Sequence, residues 1–205
     1  MKKLTTLIVF LLLSITTFAQ SNMMTSVLGI EFGSKRQEVK NHLANKQPES
    51  KVYSETDISV SYEKVTWGEY KTFLVIFQFS DDDRLHTVLI FVSPSTCSKI
   101  FTLYDNVVET ISERYYKPKK TIEHYSYPYS KSDKYTYTES MVKNDKVSMA
   151  SLWSFDNRNT PSDPEDDNNI SVFVTQECSV KITYQEGVII DEVIAKKKAK
   201  ESKDY

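Results

Sequence analysis

Phe73-Leu74-Val75-Ile76-Phe77-Gln78-Phe79, then Ser80-Asp81-Asp82-Asp83-Arg84, then Leu85-His86-Thr87-Val88-Leu89-Ile90-Phe91-Val92 form two apolar runs flanking an acidic turn. Phe73, Val75, Phe77 and Phe79 share one parity, with Leu74 and Ile76 on the other. That is the period-two pattern of a strand, and apolar residues on both faces predict a central strand covered on both sides. The aspartate run is a turn, so residues 85–92 are the returning strand of an antiparallel hairpin. Just upstream, Ile58, Val60 and Tyr62 alternate with Ser59, Ser61 and Glu63, and Val65 and Trp67 continue the pattern beyond a bulge. Three strands therefore form an antiparallel meander.

Outward from the meander the period changes. Ser34 stands three residues before Gln37, a capping-box spacing, and Val39 and Leu43 follow one turn apart. A short helix is predicted over residues 35–46, ended by Pro48. Beyond Ser93-Pro94-Ser95, the residues Ile100, Leu103, Tyr104, Val107, Val108, Ile111 and Tyr115 recur at helical spacing, until Lys117-Pro118 stops them. Strand patterns then return: Tyr125, Tyr127 and Tyr129, continued by Tyr135, Tyr137 and Met141; then Val147, Met149, Trp153 and Phe155. An acidic loop spans residues 156–169. Val172, Val174, Cys178, Val180, Ile182 and Tyr184 keep one parity, as one long strand or as two with a bend near residues 176–179. After Gly187, Val193 and Ile194 can anchor a single helical turn, and Lys196-Lys197-Lys198 are solvated. The expected fold is α+β: two helix-plus-antiparallel-meander units, about residues 29–92 and 93–185, with the helices packed on one face of antiparallel sheet. These units make one domain over 29–185, preceded by a lead-in at 20–28 and followed by a polar tail at 186–205.

The N-terminus reads as an export signal. Lys2-Lys3 precede the apolar run Leu7–Leu13, which is too short to span a bilayer, and Thr17-Phe18-Ala19 offers small residues at a cleavage site. Residues 1–19 are expected to be a cleavable signal peptide with no lipid-attachment cysteine near the cut. The mature chain is then periplasmic or extracellular, without membrane insertion. Removal of Lys2 and Lys3 takes the formal net charge from −2 to −4. Hydrophobic content of 40% and charged content of 26% fit a globular chain, and the acidic balance argues against nucleic-acid partners. In an oxidising compartment Cys97 and Cys178 can form one disulfide closing a loop of about 80 residues; otherwise both are buried thiols.

Gly29-Ile30-Glu31-Phe32-Gly33-Ser34-Lys35-Arg36-Gln37-Glu38-Val39, with Leu43 after it, resembles the strand-to-helix entry of small bacterial envelope proteins built from helix-plus-hairpin units. These include the β-lactamase-inhibitor-protein-like domains and the small lipoprotein of the outer-membrane assembly machine. Phe32, Gly33, Ser34, Glu38, Val39 and Leu43 carry the likeness. The resemblance implies the tandem fold and a protein-binding role.

Catalytic chemistry has little footing. His42, His86 and His124 share no metal-ligand spacing, and no zinc-protease, nucleophile-elbow or phosphate-loop motif occurs. No catalytic residue, metal ligand or cofactor is assigned. Asp163, Glu165, Asp167 and Asn169 alternate oxygen ligands, yet the loop lacks the central glycine and terminal glutamate of a calcium loop. The most informative irregularity is tyrosine: seven of the 13, from Tyr115 to Tyr137, fall within 23 residues, interleaved with lysines. Tyrosine gives rigid amphipathic contact area, so Tyr125, Tyr127, Tyr129, Lys131, Lys134, Tyr135 and Tyr137 form the candidate surface for an envelope protein or peptide. The same residues also suit a plain sheet face. The leading expectation is a non-enzymatic binding module. The alternative is a small-ligand or glycan binder using an aromatic cleft between the units, walled by Trp67 and Trp153. A hydrolase would need one of the histidines beside a nucleophile or carboxylate in a pocket.

Overall fold

The computed structural model describes residues 24–155 and 168–201. The expected leader and the Asp163, Glu165 and Asp167 positions lie outside the described residues.

The chain folds as α+β. A small hairpin, β1 (Ser26–Val27) with β2 (Ile30–Glu31), leads into α1 (Arg36–Lys46), β3 (Lys51–Glu55) and β4 (Ser59–Glu63). A second small hairpin, β5 (Thr66–Trp67) with β6 (Tyr70–Lys71), precedes β7 (Leu74–Phe79) and β8 (Leu85–Val92). The second half runs α2 (Ile100–Arg114), β9 (Lys120–Tyr125), α3 (Thr138–Lys143), β10 (Val147–Phe155), β11 (Asn168–Val174), β12 (Val180–Gln185) and α4 (Gly187–Glu201). Eight strands form one antiparallel sheet in the order β3-β4-β7-β8-β12-β11-β10-β9. Its centre is the β8–β12 pair, registered from Thr87 opposite Gln185 to Val92 opposite Val180.

The hairpin that anchors the reading turns where its chemistry predicts. Asp83 takes a left-handed φ of 63°, its N–H donates to the Ser80 carbonyl at 2.8 Å, and Arg84 N–H donates to the Ser80 hydroxyl at 3.1 Å. One parity of the sheet is fully buried: Val60, Val75, Phe77, Val88, Ile90, Ile182, Val172 and Trp153 belong to the core with Val39, Leu43, Phe101, Val107 and Ile111 of the helices. The other parity is only half-buried, including Leu74, Ile76, Leu89, Phe91, Leu152 and Phe173. The expectation that β7 is covered on both sides holds in part: its burial alternates residue by residue, full on one face and partial on the other.

Several boundaries differ for identifiable reasons. Lys35 rather than Ser34 is the N-cap of α1, with its N–H donating to Glu38 Oε2 at 2.7 Å. Ser34 cannot cap because it is held against β8: Leu85 N–H donates to its carbonyl at 2.9 Å, and Gly33 N–H donates to Leu85 at 2.8 Å. The single parity over 172–184 resolves into two strands. Cys178 adopts φ of 56° in the turn, where Thr175 N–H donates to Ser179 at 2.8 Å. Residues 24–28 belong to the fold, with Met24 in the core. The C-terminal segment is a 15-residue helix instead of one anchored turn. Ile189 is buried near Gly33, Arg84 pairs with Glu192, and Lys200 pairs with Asp81 at 2.9 Å.

Cys97 and Cys178, 81 positions apart in sequence, are joined by a disulfide with Cα atoms 5.2 Å apart. The bond sits just past the Val92–Val180 end of the central strand pair.

Candidate functional site

The tyrosine-rich stretch is not one strand, and this corrects the expectation. Only Lys120–Tyr125 pair in the sheet, as its outermost strand beside β10. Pro128 has no N–H to continue a ladder. Ser130 N–H donates to Asp133 Oδ2 at 2.8 Å, closing a single 3₁₀ turn at Lys131–Asp133 that feeds α3. Met141 is therefore a buried helix residue, not a strand residue.

This connection is built on a charged knot. Glu123 accepts from Tyr125 Oη at 2.6 Å and from Lys131 Nζ at 2.7 Å, and Lys134 Nζ lies 3.6 Å away. Burial raises the Glu123 pKa, but the Lys131 and Tyr125 hydrogen bonds outweigh it and the net shift is downward. The Tyr125 phenol is held up, by burial first and then by Glu123. Lys134 also approaches Asp105 at 3.5 Å and the Phe101 ring at 5.6 Å, with only 12% of its side chain exposed. Lys131 is 77% exposed. Tyr129 hydrogen-bonds Ser140 at 2.8 Å and packs its ring 5.9 Å from that of Tyr137.

The seven expected residues thus divide. Tyr125, Tyr129 and Lys134 hold the connection in shape. Tyr127, Tyr135 and Tyr137 present 91%, 65% and 51% of their surface to solvent, together with Lys131. They stand beside an open sheet edge, because β9 pairs regularly with β10 from Val147 opposite Tyr125 to Leu152 opposite Lys120 and, among the described residues, has no strand on its other side. On the half-buried sheet face next to this edge lies a groove of about 690 Å³ lined by Lys119, Lys120, Leu152, Phe173 and Gln185. Lys181 Nζ sits 5.4 Å over the Phe173 ring there.

Trp67 and Trp153 do not face one another across a cleft. Trp153 is in the core, its indole N–H donating to the Tyr116 carbonyl at 2.7 Å. Trp67 stacks on Tyr70 at 5.5 Å and lines a cleft of about 350 Å³ with Arg114, Tyr115 and Tyr184. Sequence reading missed these last three as a set. Tyr115 and Tyr184 read as core, and nothing in their spacing, 69 residues apart in the chain, places them together.

The histidines are dispersed. His42 Nε2 lies 3.0 Å from the Leu28 carbonyl, His86 Nδ1 lies 2.8 Å from the Thr87 hydroxyl, and His124 is exposed on β9. Burial lowers the His86 pKa. Among the described residues no cluster of three or more His, Cys, Asp or Glu side chains is arranged to hold a metal ion. No helix among them is long and apolar enough to cross a membrane. Comparison with protein-family models, with characterised proteins and with solved structures finds no match to this chain.

Proposed function

We propose that the chain is an exported, non-enzymatic envelope protein that binds an extended, acidic segment of another protein along β9 and the tyrosine-rich connection. The observation that carries this reading is the exposure of Tyr127, Tyr135 and Tyr137 beside the open edge of β9. An extended peptide can add to such an edge through main-chain hydrogen bonds, with neighbouring side chains giving specificity. Tyrosines held out by an ordered connection supply contact area at low entropic cost. Charge favours an acidic partner: Lys119, Lys120 and Lys131 are exposed around the edge, whereas Glu123 is already engaged by Lys131 and Tyr125.

The palindromic sheet order supports reading the halves as repeats of one unit. α1 with β3, β4, β7 and β8 corresponds to α2 with β9, β10, β11 and β12, in keeping with the tandem envelope-protein resemblance. The apolar run and small residues of 1–19 support export, to the periplasm or the cell exterior.

The test is a pull-down of the mature, tagged protein from its own envelope extract, run beside the Tyr127→Ala, Tyr135→Ala, Lys131→Glu variant. A protein held by wild type and lost by the variant, at equal melting temperature, supports the reading. Equal retention by both, or none by either, overturns it.

A further inference from the structure

We infer that the cleft walled by Trp67 is a binding site for a small, flat apolar carboxylate. It lies on the helix side of the sheet, away from β9, and stands independently of the segment-binding surface. Its cavity, about 350 Å³, is within the range of small-molecule sites.

The walls are fixed from both halves of the chain. The β5–β6 hairpin is fastened to the end of α1, where Gln47 Nε2 donates to the Thr66 carbonyl at 2.9 Å and Thr66 N–H donates to Gln47 Oε1 at 2.6 Å. Across the cleft, the Tyr70 hydroxyl reaches Thr110 of α2 at 3.4 Å, and the Tyr70 ring backs the Trp67 indole. The floor near Leu28 and Gly29 is tied to α1 by His42; a Cβ at Gly29, where φ is 76°, would sit 3.2 Å from the imidazole. Trp67 and Tyr115 therefore present apolar walls that need no rearrangement to accept a ring.

Two polar groups are left for a ligand. Tyr184 is 4% exposed and lines the cleft beside Trp67. Among the described residues no acceptor takes the Tyr184 proton, which leaves it to donate to a molecule that enters the cleft. Arg114 lines the same cleft with its guanidinium 5.4 Å over the Tyr115 ring, and no carboxylate among the described residues pairs with it. A planar guanidinium fork and a hydroxyl donor, set against aromatic walls, match a carboxylate on an apolar body. Arg114 would take one or both carboxylate oxygens, and Tyr184 would donate to an oxygen from within.

The probe is 3-phenylpropionate, compared with 3-phenylpropionamide, titrated calorimetrically into the mature protein. The amide keeps the shape and removes the charge. The carboxylate is expected to bind at least tenfold more tightly than the amide, and the Trp67 indole N–H resonance to shift on binding. Arg114→Gln, at an exposed position, should abolish that tenfold preference while leaving the melting temperature unchanged. Tyr184→Phe should weaken the carboxylate several-fold, and the Trp67 resonance shows whether the cleft wall has stayed in place. Absence of carboxylate binding overturns the inference, as do equal affinity for the two probes and binding untouched by Arg114→Gln.

Discussion

The hydroxyls of Tyr104 and Ser151 lie 2.7 Å apart, both buried, and tie α2 to the helix-covered face of β10. Neither has water to fall back on. Removing one partner strands the other, at a cost of about 1–3 kcal/mol, whereas removing both leaves an apolar contact. Tyr104→Phe alone should therefore destabilise more than the Tyr104→Phe, Ser151→Ala pair. Urea denaturation of the four members of the cycle measures this, and additive losses would contradict it.

Alkaline pH should expose the same interface. Tyr104 is pushed up to about 12, chiefly by burial, and burial also raises Tyr62, Tyr115 and Tyr184. A phenol whose folded pKa exceeds its unfolded value of about 10 contributes its full stability below pH 10 and loses it as pH rises toward 12. Stability measured by urea midpoint should be flat up to about pH 9.5 and fall steeply beyond pH 10. Tyr104→Phe should make that fall shallower.

Reduction is the next test. The Cys97–Cys178 bond closes a loop of 81 positions, and the chain-entropy model gives about 4 kcal/mol for such a loop. Dithiothreitol should lower the melting temperature by roughly 10 °C at this chain length. A Cys97→Ser, Cys178→Ser variant should melt with the reduced protein, and no fall on reduction would show the bond to be absent in solution.

Lys131 and Lys134 are three residues apart and should behave differently. Lys131→Glu changes an exposed, solvent-screened pair with Glu123. Lys134→Glu places a third carboxylate between Asp105 and Glu123 at a largely covered position. Thermal melts should show little change for Lys131→Glu and a loss of several degrees for Lys134→Glu. Similar melts for the two would refute the division of this stretch into support and display.

The sequence is legible where pattern and local chemistry agree. The β7–β8 hairpin and α2 stand where alternation and helical spacing place them, because Asp83 and Pro118 punctuate the segments between. The tyrosine run misleads because β-propensity describes a half-buried pleat, and Pro128 with the Ser130–Asp133 turn removes the backbone from the sheet. β3 shows no alternation, since Val52 and Tyr53 are adjacent and both exposed. The Trp67 cleft is least visible of all. It is assembled by β12 docking on β8, a pairing of residues some ninety positions apart that no local signal encodes.

One irregularity in β3 reaches further than its own strand. Its pairing with β4 slips between Val52 and Ser54, so this end of the sheet is kinked, while β9 at the other end is regular. A sheet with two regular ends can stack copies of itself head to tail without limit. Growth through a single usable end stops after one partner has docked. The slipped residue at Tyr53 thus makes β3 a poorer template for a second copy than the regular β9.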